Sequence, residues 1–269
     1  IQKPKSSINW GIFCVWFSLY FLYTTPMLIL RNISVSIYNK PIIHSFDYSF
    51  ATGETTAILG HNGSGKSSLA LAIMGHPRYQ TTGAMMVDES DISTSSPTDR
   101  HIAWLFLSFQ NIPEIPGIKV SEYLRTIYNT HFARQHIDTK LPSPFVFRRM
   151  IEKMLPELGL GNSFLDRDLF VGFSGGEKRR IELLQITLLD PSIIILDEVD
   201  SGLDIDAIDI LRQHIDKWHA LGKTIILITH NFHLLDTIDV DKIVIMRDGN
   251  IDRQGDRTLV EDIRIHWYK

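Results

Sequence analysis

The stretch Gly60-His61-Asn62-Gly63-Ser64-Gly65-Lys66-Ser67 constrains this chain more than any other. It has the form G-x-x-x-x-G-K-[ST], and its flanks fit that form. Thr55-Thr56-Ala57-Ile58-Leu59 before it reads as a buried strand, and Ser68 to Met74 after it reads as a helix closed by Gly75. The glycines let the backbone curl so that its N–H groups face one anion. The helix N-terminus adds the positive end of its dipole. In this pattern the backbone from Gly60 to Gly65 wraps a phosphate chain, and Lys66 adds a point charge for the outer phosphates. Ser67 offers a hydroxyl to Mg²⁺, and Ser68 carries the loop into the helix.

Composition narrows the rest. The chain has 269 residues, 44% hydrophobic and 22% charged, which suits a globular α/β protein with a good core. Net charge is −4 with no long basic run, so the overall field does not favour nucleic acid. One cysteine, Cys14, excludes an internal disulfide framework and a multi-cysteine metal site, and it points to a reducing compartment. The histidines show no H-E-x-x-H spacing; His131, His136, His214 and His219 read as helix residues rather than ligands. Lys3 and Lys5 precede an uncharged, aromatic-rich run from Ile8 to Tyr23 that is short for a membrane span. Met27-Leu28-Ile29-Leu30 opens a strand at once and reads as a natural beginning. Residues 1–26 are therefore expected to be a translated upstream stretch or a cloning artefact, with a targeting or anchoring segment as the alternative.

From Met27 the pattern alternates strands and helices. Met27 to Tyr38 and Ile42 to Phe50 read as an antiparallel flank turned at Asn39-Lys40-Pro41. Thr81-Thr82-Gly83 reads as a turn before a short strand, Ala84 to Val87. His101 to Phe109 reads as a buried strand ending at Gln110. A helical insert follows, placed at about 111–180 and broken at Leu141-Pro142-Ser143-Pro144. Ser174 caps a helix running to about Leu189. Ile193 to Leu196 is a buried strand of the parallel type. Asp206 to Leu221 is an amphipathic helix, Thr224 to Thr229 another buried strand, and Lys242 to Gln254 a hairpin around Asp248-Gly249.

The chemistry gathers at strand ends. Ile193-Ile194-Ile195-Leu196 runs into Asp197 and Glu198, an acidic pair suited to the metal side of a phosphate loop. Asp197 is the candidate Mg²⁺ residue, and Glu198 the candidate that polarises an attacking water. Phe173-Ser174-Gly175-Gly176-Glu177 places a good N-cap and two glycines at a helix start, which makes a second anion site.

This arrangement resembles the ATP-binding cassette (ABC) family, whose signature reads Leu-Ser-Gly-Gly-Gln. The fold expected is therefore an α/β P-loop NTPase of the ABC ATPase type, with a mainly parallel sheet core, an antiparallel flank and an inserted helical subdomain, spanning 27–269. The resemblance implies roles for further residues. Gln110 matches the coupling glutamine beside metal and water. Ser201-Gly202-Leu203-Asp204 matches the loop that crosses a dimer interface, and His230 the switch histidine that meets the γ-phosphate. Tyr38 is the candidate ring for stacking on adenine, although the family position falls equally well on Ile37. Two such domains would pack head to tail. Each ATP would then lie between Lys66, Ser67 and Asp197 of one copy and Ser174, Gly175, Gly176 and Glu177 of the other.

Within the family, Glu114-Ile115-Pro116-Gly117-Ile118, the Glu177-Lys178-Arg179-Arg180 run and Asp197 to Ala207 resemble the SufC group of iron–sulfur cluster assembly ATPases. That resemblance implies a scaffold partner of SufB/SufD type, docked near Gln110 to Gly117 and the helical insert. It suits a bacterial cytoplasm or an organelle of bacterial origin. An ABC transporter subunit with a separate membrane permease is the alternative. Phe170, Val199, Ile181 and Asn231-Phe232-His233 depart from the usual pattern without touching a phosphate contact. Lys178, Arg179 and Arg180 read as a solvated basic helix face; the alternative is that one of them pairs with Glu198 in the free monomer and holds it from water.

Overall fold

The computed structural model describes residues 27–135, 140–200 and 203–260. The expected extension at 1–26, with Cys14, lies outside them, as do His136, Ser201 and Gly202. Among the described residues twelve strands fall into three sheets. An antiparallel sheet is ordered β2-β1-β4-β5, from β1 (Leu28–Ile37), β2 (Lys40–Phe50), β4 (Gln80–Val87) and β5 (Ser90–Asp91). The central sheet is ordered β12-β11-β3-β10-β9-β6, from β3 (Thr55–Gly60), β6 (Leu105–Ser108), β9 (Ile193–Asp197), β10 (Thr224–Ile228), β11 (Lys242–Arg247) and β12 (Asn250–Gly255). All its pairings are parallel except β11 with β12. β7 (Ile115–Lys119) and β8 (Asp168–Leu169) form a small ribbon.

Seven helices accompany them among the described residues. These are α1 (Lys66–Ile73), α2 (Pro97–Ala103), α3 (Val120–Gln135), α4 (Pro144–Glu152), α5 (Gly175–Leu189), α6 (Ile205–Ala220) and α7 (Phe232–Thr237). Two 3₁₀ turns, Leu155–Leu158 and Asn162–Asp166, connect α4 to β8.

The central strands are apolar on both faces because both are covered. Ile193 and Ile195 share a core with α1 and the antiparallel sheet, including Leu69, Ile73, Phe46 and Phe50. Ile194 and Leu196 share the opposite core with Leu124, Phe147, Leu184 and Leu211 of the remaining helices. This period-two alternation places Asp197 on the same side as Ile195, the side of α1 and its loop.

Most element boundaries match the sequence reading to within a few residues, and Ser174 does cap α5. Three differ. The hairpin β1–β2 turns at Tyr38-Asn39, one residue before the expected position, with φ of 48° and 63° and Ile37 paired to Lys40. That is a two-residue turn with both φ positive, which suits the strand twist. Thr81-Thr82-Gly83 lies within β4: Gly83, at φ 98°, marks an irregularity in the β1–β4 register. His101 lies in the last turn of α2, which runs on to Ala103, rather than opening a strand, because Ser96 caps that helix and Pro97 starts it.

Candidate functional site

The loop after β3 folds back over the N-terminus of α1. Lys66 is 4% exposed, and its Nζ donates to the carbonyls of Gly60 (2.7 Å) and His61 (3.0 Å). Burial pulls its pKa below the ordinary lysine value, while Glu198 and Asp197 act to raise it. An ammonium has three donors, so one is left for an oxygen in the cleft. Ser64 Oγ is buried with no hydrogen-bond partner among the described residues.

Ser67 Oγ donates to Asp197 Oδ1 at 3.1 Å. Burial pushes the Asp197 carboxyl up to about 6; the Ser67 hydrogen bond opposes this, and neighbouring Glu198 adds to it. Two hard oxygen donors side by side, on a carboxylate short of positive charge, fit a divalent cation such as Mg²⁺.

Glu198 is 8% exposed and sits at φ 47°, a left-handed conformation that costs a non-glycine residue about 1–3 kcal/mol. Its N–H donates to the Ile228 carbonyl at 2.8 Å, which ties the end of β9 to the end of β10. Gln110 Nε2 donates to Glu198 Oε2. His230 Nδ1 lies 3.4 Å from Glu198 Oε1. The carboxylate is thus held between the two residues that the family resemblance singled out.

The basic triplet is neither a wholly solvated face nor a partner of the Glu198 carboxylate. Lys178 lies 3.6 Å from Glu114, and Arg180 donates to the Gly159 carbonyl. Arg179, 8% exposed, instead becomes a hub. Its Nη1 bonds Ser108 Oγ (3.0 Å), the Phe109 carbonyl (2.7 Å) and Glu182 Oε2 (2.5 Å). Its Nη2 reaches the main-chain carbonyls of Gln110 (3.2 Å) and Glu198 (3.4 Å). Arg179 therefore holds the backbone of both residues rather than the carboxylate.

A cleft of about 570 Å³ opens beside this cluster. Asn62, Gly63, Gly65, Lys66, Ser67 and Ser68 form one wall, and Gln110 with Glu198 close one end. Lys40, Pro41, Ile42, His44, Asp248 and Gly249 form the rest. Tyr38 is not among these residues: it is 81% exposed at the hairpin tip, with Arg78 5.9 Å from its ring centroid. Ser174, Gly175, Gly176, Glu177 and Asp204 also stand outside the cleft. Ser174 and Glu177 form a reciprocal capping box (3.2 and 2.9 Å), and Asp204 caps α6 through the Ala207 N–H (2.8 Å).

Two supports escaped the sequence reading. Thr229 Oγ1 bonds both carboxylate oxygens of buried Asp200 and accepts from the Asn231 N–H, which braces the segment carrying His230. Asp200 lies within the Asp197 to Ala207 stretch, whose pattern holds no signal for this bond. The second support is the Asp248-Gly249 turn. Gly249 N donates to the Ser64 carbonyl (3.0 Å) and Gly249 O accepts from His44 N (2.9 Å). Gly249 has φ 76°, and a Cβ there would lie 2.1 Å from the Ile42 carbonyl. Gly249→Ala is therefore expected to weaken ATP binding at least tenfold and to cost about 2 kcal/mol of stability. Calorimetric titration and thermal melting check both; an unchanged dissociation constant would show that the turn does not set the loop.

Comparison with known proteins agrees with the geometry. A family model described as ABC transporter matches residues 43–201. The chain is 41% identical over 231 residues to the probable ATP-dependent transporter ycf16 of Antithamnion sp., covering 85% of this chain and 91% of that protein. It is 38% identical over 230 residues to the iron–sulfur cluster assembly protein SufC of Plasmodium berghei, covering 85% of this chain and 62% of that protein. The dimeric structure of MJ0796, a bacterial ABC transporter cassette, superposes with TM-score 0.73 at 19% identity, covering 85% of this chain and 98% of that one. The chain belongs to the ABC ATPase family and is an ATP-binding, ATP-hydrolysing cassette.

Proposed function

We propose that this ATPase is a SufC-type subunit. It drives a conformational change in a scaffold of SufB/SufD type during iron–sulfur cluster assembly. One observation carries the mechanical half of the reading. Glu198 is poised between Gln110 and His230 in the cleft of one chain, while Ser174 to Gly176 stand outside it. A second copy, packed head to tail, would bring its own Ser174 to Gly176 to the open side. Hydrolysis then waits for pairing, and pairing moves whatever the two copies grip.

Ser67 and Asp197 are the residues that would hold Mg²⁺, with Gln110 at its edge. When bound, the ion neutralises charge on the outer phosphates. Lys66 and the N–H groups of the loop orient the phosphate chain. Glu198 Oε accepts the proton of the attacking water. Gln110 and His230 keep that carboxylate aimed.

The similarity to the Plasmodium berghei SufC supports the choice of machine, as do the Asp197 to Ala207 stretch and Glu177 in the signature. Among the described residues no helix is long and apolar enough to cross a membrane. Affinity purification from the source cells with mass spectrometry tests the assignment. Scaffold proteins of SufB/SufD type are expected in the bound fraction. A membrane permease without them would assign the chain to transport instead and leave the ATPase untouched.

A further inference from the structure

We propose that Arg167 is a positioning residue of the composite ATP pocket: its guanidinium cancels the charge of Glu177, so that the start of α5 in one copy can close on the triphosphate held by the other. The inference rests on the head-to-tail pairing proposed above. In that pairing Ser174, Gly175 and Gly176 meet the outer phosphates, and Ser174 and Gly175 stand exposed for it. The capping box engages the N–H groups of Ser174 and Glu177. The N–H groups of Gly175 and Gly176 have no carbonyl one turn back to bond, and the Ser174 hydroxyl keeps its proton to give.

Glu177 is the misfit in this arrangement. Its carboxylate accepts from Ser174 N at 2.9 Å, which pins it at the helix end that is to face the phosphates. A carboxylate there repels a triphosphate, and pairing expels the water and salt that would screen the two. A neutral glutamine would close the same capping box without that repulsion.

Arg167 answers the charge. Its Nη1 lies 3.9 Å from Glu177 Oε2. Three other contacts hold the guanidinium in place. Nη2 donates to the Gly172 carbonyl at 3.1 Å, and the guanidinium carbon lies 4.1 Å from the ring centroid of Phe173 and 4.8 Å from that of Phe164. The two rings meet edge to face at 5.4 Å. The cation is thus set by packing on the residue that precedes Ser174. Its acidic neighbours in sequence do not claim it, because Asp166 pairs with Arg148 (2.7 Å) and Asp168 with Lys119 (2.7 Å). Such a contact contributes little while it faces water. It gains weight when a second copy covers it and brings a phosphate near.

Sedimentation velocity of the full chain with Mg-ATP, with Glu198→Gln in every sample to stop turnover, tests this. The parent should pair. Adding Arg167→Ala should weaken pairing at least tenfold, while the Mg-ATP affinity of the single chain, titrated at concentrations too dilute for pairing, stays within threefold. Adding Glu177→Gln to Arg167→Ala should bring the pairing constant back to within threefold of the parent, because the capping box survives and the charge is gone. A loss of pairing under tenfold, a matching loss of affinity in the single chain, or a loss that Glu177→Gln does not bring back would overturn the proposal. The last of these would make Arg167 a packing residue only. A parent that stays single at saturating Mg-ATP would instead remove the head-to-tail reading, and the role of Arg167 with it.

Discussion

Glu198→Gln should still bind Mg-ATP and should lose turnover by about 10²–10⁴-fold, the range expected for removing a positioned general base. The substitution keeps the shape of the side chain. It also keeps an oxygen that can accept the Gln110 Nε2 hydrogen bond. What it removes is the carboxylate that takes a proton from water. Lys66, Ser67 and the loop backbone are untouched, so affinity should change little. Single-turnover hydrolysis and a binding titration on the same preparation separate the two terms. Turnover within tenfold of the wild type would show that Glu198 is not the base.

Arg179→Met should be the most destabilising single change in the catalytic region. The guanidinium and the Glu182 carboxylate are both buried, at 8% and 5% exposure, and bond at 2.5 Å. Burial raises the pKa of Glu182, and Arg179 and Ser108 work against that rise. Removing the cation leaves a buried carboxylate without its counter-charge, at a cost of about 3–5 kcal/mol. It also frees the backbone carbonyls of Phe109, Gln110 and Glu198. Turnover should therefore fall along with stability. A double variant, Arg179→Met with Glu182→Leu, should recover much of the stability, because an apolar pair replaces the ions. It should not recover turnover, because the carbonyls stay unheld. Denaturant melts and steady-state assays on the two variants check both halves. Full recovery of turnover in the double variant would show that Arg179 acts only through Glu182.

The phosphate loop, the acidic pair and the cap of α5 were legible because their chemistry is local. Gly65, Lys66 and Ser67 act within one turn, and Ser174 bonds to Glu177 three residues on. The apolar departures from the family pattern also have a local outcome: Phe170, Ile181 and Val199 all lie in the helical-side core. Phe170 takes φ 63° and packs edge-on against Phe173 at 6.2 Å. What could not be read was distant in sequence. Arg179 finds its partners at Ser108, Phe109 and Gln110, brought beside α5 only by the sheet. The basic triplet offered Glu198 a cation only as the alternative to a solvated face; nothing in its pattern placed Arg179 on the backbone carbonyls of Gln110 and Glu198. Tyr38 was placed by motif order, while the hairpin geometry turned its ring outward. Gly83 looked like a turn because a glycine with positive φ serves a turn and a strand irregularity equally.

The bond from Gly249 to Ser64 sets a schedule for biogenesis. On the ribosome the loop emerges early and the turn that seats it emerges long afterward. A nascent chain must therefore carry that loop unfinished until Gly249 has been made, and firm nucleotide capture becomes coupled to arrival of the β11–β12 hairpin.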